Sequence, residues 1–402
     1  MRNKPHILIA GAGPAGCVSA LILARAGVRV TVFEAESELP LDLRASTFHP
    51  PTLDMLAPLG LTERLLEMGL KAPTYQFRDR RSGDYATFDL SCLSNLTDHP
   101  YRLQCEQFKL TGIAAEALRD MPEAEVLFGR PVTGVEQDDD GVRVTVAGPD
   151  GAEIHAGDYL IAADGASSVV RTALDIGFDG FTYPDQWLVA STPHDFPGDF
   201  DGLAYVNYVA DPDEWFVLLR VPALWRVLLP VAPDATEADA LSDETLQRRL
   251  QGIAAKDDDY TIAHRTLYRV HQRVAATYRV GRVALAGDSA HINNPLGGMG
   301  MNGGIHDAVN LAQKLERILL HGADADRLLD HYSAQRQAIA TEYVQEHTHG
   351  NKQAIEEPDP AKRRAHMDRM KAIADDPALL VPFARKSAMI DAVERSMAVE
   401  PD

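Results

Sequence analysis

Positive charge is scarce in this 402-residue sequence, which carries 39 Lys and Arg against 59 Asp and Glu for a formal charge of −20. A protein that neutralises nucleic-acid phosphates, or that docks on anionic lipid, needs a surplus of basic residues. The charge balance therefore argues against nucleic acid and against a membrane surface as partners.

Long apolar runs are also missing. The longest candidate, residues 215–232, is interrupted by Arg220 and Arg226 and contains two prolines, whereas a membrane span needs about 20 mostly apolar residues. The apolar part of the N-terminus, residues 7–10, is too short for a signal peptide. The sequence predicts no membrane span, a cytoplasmic location and, from its length, two or three domains.

Metal-ligand patterns are absent as well. The three cysteines are scattered, and the 14 histidines form no H-E-x-x-H motif, so neither a disulfide framework nor a zinc site is indicated. The acidic runs 138–140 and 257–259 are interpreted as solvated turns, because consecutive carboxylates on a turn point in different directions. No metal site is predicted.

What the sequence does contain is a predicted strand, turn and helix at its start. Residues 6–10 are apolar, 15–26 favour a helix, and 28–33 form a second apolar run. The turn between the first strand and the helix fits G-x-G-x-x-G, and an acidic residue follows its last glycine by eighteen positions. That context indicates a dinucleotide site on Gly11, Gly13, Pro14, Ala15, Gly16 and Glu34. A purely structural turn with an incidental acid is the alternative.

The remaining chain alternates between helical and strand patterns. A helix is expected at 107–119, and a β-meander at 132–136, 142–147 and 153–162. Three antiparallel strands are expected at 204–209, 215–221 and 225–231, followed by a strand at 283–286, a glycine-rich loop and a long helix to about 321. Residues beyond 322 are polar, alanine-rich and predicted helical.

Two further motifs narrow the function. Residues 159–171 form a predicted strand that runs into D-G-x-x-S-x-x-R, and residues 282–291 form a second strand that runs into G-D-S-A-H. With the first glycine turn, these motifs resemble the single-component (class A) flavoprotein monooxygenases, the para-hydroxybenzoate-hydroxylase-like family. The resemblance covers roughly residues 5–345.

The resemblance implies an α/β fold. It consists of a Rossmann-type, glutathione-reductase-like FAD-binding domain, an inserted, mostly antiparallel β-sheet domain for the substrate, and a helical C-terminus. We expect a discontinuous FAD-binding domain at 1–74, 98–177 and 279–345, a substrate domain at 75–97 and 178–278, and a helical segment at 346–402.

Residue roles follow from the same resemblance. Glu34 resembles the family's ribose ligand, Arg44 an arginine that touches FAD and assists NAD(P)H, and Gln107 an FAD-binding glutamine. Asp164 and Gly165 resemble a motif that serves both FAD and the nicotinamide. Asp288, after Gly287, resembles the ligand of the ribityl chain.

The loop that begins at Pro295 has five glycines in the eight residues 297–304. With so little side-chain bulk, its backbone N–H groups can approach a flat ring, and the positive end of the next helix can stabilise an anionic reduced ring. Asn302 is the expected N-cap of that helix. The predicted ring contacts come from Pro295, Gly298, Gly300, Met301 and Asn302. The family commonly has two prolines here, whereas this chain has Asn294 before Pro295.

The implied activity is hydroxylation of a small aromatic or heteroaromatic compound, with O₂ and NADPH or NADH, through a flavin C4a-hydroperoxide. Tyr205, Tyr208, Trp215, Phe216 and Trp225 are candidates for the pocket cover or for domain core. His49 is a candidate base or a structural histidine, and no catalytic side chain is assigned. His347 and His349 are expected on the surface, and the chain is expected to be a monomer or a homodimer.

Two alternatives remain open at this point. A flavoprotein of the same fold could carry out epoxidation, Baeyer–Villiger oxygenation or reduction, which product stoichiometry would distinguish. A non-catalytic flavin-binding module fits less well, because the glycine loop is expected at the reactive ring rather than at the adenosine end.

Overall fold

The computed structural model describes residues 4–41 and 45–400. The strands, in chain order, are β1 (His6–Ala10), β2 (Arg29–Phe33), β3 (Thr47–Phe48), β4 (Leu70–Ala72), β5 (Thr74–Asp79), β6 (Tyr85–Asp89), β7 (Arg102–Gln104), β8 (Ala124–Leu127), β9 (Val132–Gln137), β10 (Val142–Gly148), β11 (Gly151–Gly157), β12 (Tyr159–Ala162), β13 (Phe178–Thr192), β14 (Val206–Ala210), β15 (Phe216–Arg220), β16 (Trp225–Val231), β17 (His264–Ala275), β18 (Arg279–Val280), β19 (Val283–Leu285) and β20 (His291–Ile292).

The helices are α1 (Pro14–Arg25), α2 (Pro50–Leu56), α3 (Leu61–Met68), α4 (Gln107–Arg119), α5 (Val169–Ala173), α6 (Glu237–Ala240), α7 (Asp243–Ile253), α8 (Met299–His321), α9 (Ala325–Ala338), α10 (Glu346–Glu356), α11 (Pro360–Asp375), α12 (Pro377–Ser387) and α13 (Ile390–Ala398). A π-helical segment, Ile339–Gln345, joins α9 to α10. None of the helices in the described ranges is long and apolar enough to cross a membrane.

One sheet has six strands in the order β18-β19-β12-β1-β2-β8, and all its pairs are parallel except β18–β19. Its central strand β1 is buried along its whole length, as expected for a sheet with both faces covered. Helices α1 and α8 pack into the same apolar core. This confirms the Rossmann-type prediction.

A second sheet has eight strands in the order β20-β17-β13-β16-β15-β14-β5-β6. Only the β14–β5 pair is parallel, so the predicted antiparallel sheet is confirmed. Short strand β20 lies at its edge and leads directly into the glycine loop. We propose that the domain boundaries lie where the sequence predicts them, with β20 as one strand of the FAD-binding segment that pairs with the substrate sheet.

The predicted strand at 153–162 is wrong in one respect, because it is two strands in two sheets. β11 pairs with β10 in a three-stranded sheet, whereas β12 pairs with β1 in the parallel sheet. The break falls at Asp158, whose carboxylate accepts a hydrogen bond from the His6 N–H at 2.7 Å. A Cβ at Gly157 would lie 2.8 Å from the Leu8 side chain, so the chain turns there against β1.

The C-terminal helices are part of the fold rather than a loose tail. Met370, Leu380 and Ala384 from α11 and α12 join Tyr75 and Phe88 of the eight-stranded sheet in one apolar cluster. Helix α10 places Ile355 in a different cluster, against the opposite part of that sheet and the glycine loop. A small three-stranded sheet, β3-β7-β4, has strands that alternate in sequence with strands of the two larger sheets, and it contributes to the site described below.

Candidate active site

The first glycine turn is built by close packing. Gly11 has a φ of +94°, and a Cβ there would lie 2.3 Å from the Ala163 carbonyl oxygen. A Cβ at Gly16 would lie 2.0 Å from the Gly11 carbonyl oxygen. At Gly13, by contrast, a Cβ would meet no atom within 4 Å. Two glycines therefore permit backbone contact, and Gly13 leaves open space for a ligand.

Helix α1 begins next to that open space. Pro14 is its first residue, and the N-cap Gly13 has no side chain that could satisfy the free N–H groups of the first turn. The positive end of the helix is thus available to an anion, as in dinucleotide sites. Ala15 is buried, and its Cβ is the nearest atom to a Cβ built on Gly287, at 3.3 Å.

Glu34 ends β2 beside the turn. Its Oε2 accepts a hydrogen bond from the Ala12 N–H at 2.7 Å, and its Oε1 accepts one from the Glu36 N–H at 3.0 Å. These bonds fix the carboxylate at the rim of the cleft, and each oxygen keeps a lone pair for a ribose hydroxyl. Arg44, the other residue predicted in this region, lies outside the described residues.

A cleft of about 390 Å³ brings six of the predicted residues together. They are Gly11, Gly13, Glu34, Gln107, Asp164 and Gly165. The sequence analysis missed Phe108, Thr111 and Val132 in the lining. Phe108 and Thr111 follow Gln107 on α4 by one and four positions, so helical spacing could have found them, whereas no local signal marks Val132.

Asp164 is a half-buried acid in the lining of this cleft. Its Oδ2 accepts from the Val170 N–H at 3.2 Å, and its Oδ1 is buried without a hydrogen-bond partner among the described residues. Burial raises the pKa of Asp164, an effect that hydrogen bonds from Ser168 and nearby backbone N–H groups oppose. An unsatisfied buried oxygen beside open space fits a hydroxyl-bearing ligand.

Arg171 connects the second motif to the third. Its guanidinium donates to the Ser289 carbonyl at 3.0 Å and to the Ala166 carbonyl at 2.9 Å, and it stacks on Phe178 at 3.9 Å. Arg171, the arginine of D-G-x-x-S-x-x-R, therefore connects the Asp164 turn to the Asp288 turn by hydrogen bonds.

A buried cluster of charged side chains supports the turn that contains Asp288. Gly287, with a φ of +68°, donates its N–H to Asp307 Oδ2 at 3.0 Å. Asp307 also accepts from His291 Nε2 at 2.8 Å and from Arg336 Nε at 2.6 Å. Burial alone would raise the pKa of Asp307, but Arg336 and His291 hold it well below its usual range. The side chain of Asp288 itself is exposed at the surface of the turn.

The glycine loop differs from the prediction at Asn302, which is not the N-cap of α8. The helix begins three residues earlier, at Met299, because Gly298 adopts a left-handed φ of +68° and caps it. From inside the helix, the Asn302 amide donates to the Thr47 carbonyl at 2.8 Å and to the Gly298 carbonyl at 2.6 Å. Its Oδ1 accepts from the His49 N–H at 2.9 Å, so Asn302 ties the loop to β3.

The other predicted loop residues lie around this capped turn. Pro295, Gly298, Gly300 and Met301 are half-buried. Met299 is fully buried against Ile339 and Tyr343, so it serves as packing. Met301 packs on the core of the parallel sheet.

His49 supports the loop. It is fully buried, and its Nε2 donates to the Gly297 carbonyl at 2.8 Å. Burial, together with the charge of Arg102, lowers the pKa of His49 well below its ordinary value, so the ring is neutral. The sequence left two roles open for His49, a catalytic base or a structural residue, and this geometry favours the structural role.

Asn294, which stands where the family commonly has a proline, is held by hydrogen bonds of both its backbone and its side chain. Its N–H donates to Gln272 Oε1 at 2.9 Å, its Oδ1 accepts from the Leu296 N–H at 3.0 Å, and its Nδ2 donates to Tyr183 Oη at 3.2 Å. Helix α10 adds Asn351, whose amide donates to the Leu296 carbonyl at 3.1 Å. Polar contacts thus fix this loop in place of a second proline.

The expectation that His347 and His349 lie on the surface is wrong. Both are half-buried on α10. His349 hydrogen-bonds Tyr183 Oη at 2.9 Å, and burial lowers the pKa of His347 to about 4. No local pattern indicated this, because Tyr183, which contacts His349, is distant along the chain.

The aromatic candidates for the pocket cover divide between the two faces of the eight-stranded sheet. Phe216 and Trp225 pack against Leu246 and Leu250 of α7 and are therefore core. Trp215 and Tyr208 belong to the opposite face, which also contacts Leu296 of the glycine loop. Tyr205 is exposed.

The arrangement fits FAD. The cleft, the free α1 N-terminus and the unpartnered Asp164 Oδ1 suit the adenosine and pyrophosphate half, and the Gly287 turn adjoins this cleft through Ala15. The glycine loop and the N-terminus of α8 continue from that turn. No group of three His, Cys, Asp or Glu side chains in the described ranges is placed to hold a metal ion.

Comparison with known proteins gives consistent matches. A family model described as the FAD binding domain matches residues 4–347. The chain is 34% identical to para-nitrophenol 4-monooxygenase of Pseudomonas sp. (strain WBC-3) over 388 residues, 95% of each chain. It is 35% identical to 6-hydroxy-3-succinoylpyridine 3-monooxygenase of Pseudomonas putida (strain DSM 28022 / S16) over 353 residues, 86% of this chain and 87% of that one. The crystal structure of p-nitrophenol 4-monooxygenase from Pseudomonas putida DLL-E4 superimposes with a TM-score of 0.91 at 33% identity, covering 98% of this chain and 99% of that one.

Proposed function

Because this chain belongs to the class A, FAD-dependent aromatic hydroxylases, we propose that it transfers one oxygen atom from O₂ to a ring carbon of a small phenol or hydroxypyridine. The predicted family, fold, FAD cofactor and monooxygenase activity are confirmed. When bound, FAD accepts a hydride from NAD(P)H and activates O₂. The protein's own task is to bind the ring, orient it and exclude water.

The observation that carries the substrate class is an apolar wall opposite the glycine loop. Trp187, Val189, Val217 and Leu228 lie on one face of the eight-stranded sheet and belong to the same apolar cluster as Leu296. All of these side chains are buried. An apolar wall next to the flavin loop suits a flat aromatic compound.

The predicted FAD contacts divide into two groups on this proposal. Gly11, Gly13, Glu34, Gln107, Asp164 and Gly165 serve the adenosine half, and Asp288 the ribityl chain. The loop from Pro295 and the start of α8 would hold the flavin ring, and the positive end of that long helix would stabilise negative charge on the ring.

A cytoplasmic location, which suits a supply of NAD(P)H, and a monomer or homodimer remain predictions.

The proposal is tested by a screen of phenols, hydroxypyridines and their non-hydroxylated analogues with the FAD-loaded enzyme. We expect selected phenols or hydroxypyridines to accelerate NAD(P)H oxidation and to yield a product heavier by one oxygen atom. A lactone, an epoxide or a reduced product would instead indicate the other chemistries available to this fold. No acceleration by any ring compound, with FAD bound, would contradict the proposal.

Two neighbouring residues of β16 test the position of the pocket. Leu228 faces the loop, whereas Leu229 faces α7, and both are buried. Leu228→Ala and Leu229→Ala should each lower the free energy of unfolding by about 2–5 kcal/mol, the usual cost of such a cavity. Only Leu228→Ala should also raise KM and increase peroxide release, because only that cavity adjoins the substrate.

The readouts are urea unfolding, steady-state kinetics and peroxide yield on the same preparations. If Leu229→Ala changed KM and peroxide yield as much as Leu228→Ala does, the pocket would not lie on the face assigned here.

A further inference from the structure

Arg102 is a buried cation that pairs with no carboxylate in the part of the chain that the structure describes. The residue is 2% exposed, at the start of β7, and its guanidinium stacks on the Tyr75 ring at 4.1 Å. Its Nη2 makes one long hydrogen bond, 3.4 Å, to the Ser387 carbonyl. Nε and Nη1 are buried and have no acceptor among the described residues, and no ion pair with a carboxylate is found for Arg102 in those ranges.

Such an arrangement is costly. A buried charge is normally paired, and leaving it without an anion costs several kcal/mol. The Ser387 carbonyl and the Tyr75 ring compensate only part of that cost, because neither carries a full negative charge. Because most of this cost is uncompensated, we expect the guanidinium to have a function.

Arg102 lies between the glycine loop and the substrate wall. Thr47 pairs with Gln104 and Phe48 with Leu103, so the next residue, His49, comes opposite Arg102. The charge of Arg102 is felt at His49, whose Nε2 contacts the Gly297 carbonyl. On the loop side, therefore, a single histidine separates Arg102 from the turn that serves the flavin ring.

On the sheet side, the Tyr75 that stacks on Arg102 belongs to an apolar cluster with Val206. Half-buried Tyr208 and Leu219 pack against this cluster and also against the cluster of Leu296 and Val217. Arg102 thus stands at one end of the apolar wall proposed for the ring.

The other titratable groups near Arg102 do not neutralise it. His49 is neutral, and burial with the charges of Lys386 and Arg102 lowers the pKa of His347 to about 4, so it is neutral as well. Burial raises the pKa of Tyr75 to about 12, so this phenol stays protonated. Gln104, two residues along β7, adds a buried Nε2 without a partner in the described structure.

We propose that Arg102 is the subsite for the phenol oxygen of the substrate and holds that oxygen in its anionic form. This inference rests on the proposed function. The guanidinium keeps N–H donors on Nε and Nη1 without an acceptor among the described residues, and charge-assisted hydrogen bonds from such donors suit an oxyanion. A desolvated cation also favours ionisation of a phenol beside it, and an ionised phenol has the more electron-rich ring.

The test is a titration of the FAD-loaded enzyme with para-nitrophenol at a pH at which the free compound is mostly protonated. The coloured phenolate reports its own ionisation in the difference spectrum. We expect the wild-type enzyme to increase the phenolate fraction on binding. Arg102→Met should lose that increase and bind about tenfold more weakly or worse, and Arg102→Lys should restore part of both.

Arg78→Met is the matched control. Arg78 is also a buried arginine, stacked on Tyr85 at 4.3 Å, but its donors are accepted by Gln76 Oε1 and the Asp201 carbonyl. This variant should leave the affinity and the phenolate fraction unchanged. Nitrobenzene, which lacks the hydroxyl, should bind equally to wild type and Arg102→Met.

The outcomes separate the two proposals. If Arg102→Met retains FAD and binds para-nitrophenol with unchanged affinity and phenolate fraction, Arg102 is structural and the inference is wrong. If Arg102→Met does not fold, Arg102→Lys decides by the same two readouts. If phenols accelerate NAD(P)H oxidation but the wild-type enzyme binds them only in the protonated form, this inference alone fails. If no ring compound accelerates that oxidation, the proposed function fails first and this inference with it.

Discussion

Gly16→Ala is expected to yield a protein that retains little or no FAD, although the change adds only one methyl group. Helix propensity alone favours alanine over glycine by about 1 kcal/mol. Sterics reverse that sign, because the new Cβ would lie 2.0 Å from the Gly11 carbonyl oxygen and must displace the turn that we propose faces the pyrophosphate. We expect the FAD dissociation constant to rise about tenfold or more, equivalent to about 1.4 kcal/mol or more.

Gly112→Ala is the control for this prediction. Gly112 lies in α4, and a Cβ there would meet nothing within 4 Å. This variant should bind FAD normally and gain a few tenths to 1 kcal/mol of stability. The measurement is FAD content after gel filtration, with the dissociation constant from flavin fluorescence. Normal FAD affinity in Gly16→Ala would show that the turn does not hold the cofactor.

Asp307→Asn is expected to lower the free energy of unfolding by about 3–5 kcal/mol, because it leaves the buried Arg336 guanidinium without its anion. The substitution preserves the shape of the side chain but removes its negative charge. In the wild type, that carboxylate accepts hydrogen bonds from His291, Arg336 and the Gly287 N–H. Since Gly287 precedes Asp288, we also expect weaker FAD retention. Urea unfolding and FAD content measure the two effects.

An exposed pair provides the comparison. Glu116 contacts Arg64 at 2.6 Å on the surface, and Glu116→Gln should cost less than about 1 kcal/mol because solvent screens the pair. An Asp307→Asn variant as stable as Glu116→Gln would mean that the buried cluster does not support the Asp288 turn.

The features predicted correctly from the sequence are those that depend on residues close together along the chain. The Gly11 turn could be read because strand, glycines, helix and Glu34 all lie within one unit, and each glycine has a local steric reason. Helix α4 was predicted with its observed limits, because its apolar residues recur at the spacing that places them on one helix face.

What could not be predicted depends on which distant segment covers a given face. Alternation along β16 separates Leu228 from Leu229, but it does not tell which side meets the flavin loop. The switch of sheets at Asp158 follows from contact with β1, about 150 positions earlier in the chain. Arg102 was not singled out from the sequence, because only the packed structure reveals that no carboxylate of the described residues pairs with its guanidinium.

Asn302 shows how a local rule was overridden. Asparagine before a helical pattern favours an N-cap. Here the left-handed Gly298 starts the helix earlier. The Asn302 side chain then makes three hydrogen bonds, which connect the loop to β3 and to the residue after it. Its observed role is to position the loop rather than to begin the helix, and its predicted contact with the flavin stays a prediction.

The central claim is that this protein is a monooxygenase that transfers one atom of O₂ to an aromatic ring. The most direct measurement is turnover of the best substrate from the screen under ¹⁸O₂, with mass spectrometry of the product and parallel counts of NAD(P)H and O₂ consumed. We predict one ¹⁸O atom in each product molecule and equal consumption of NAD(P)H and O₂ per product. A product that contains no ¹⁸O, with all O₂ recovered as hydrogen peroxide, would contradict the claim.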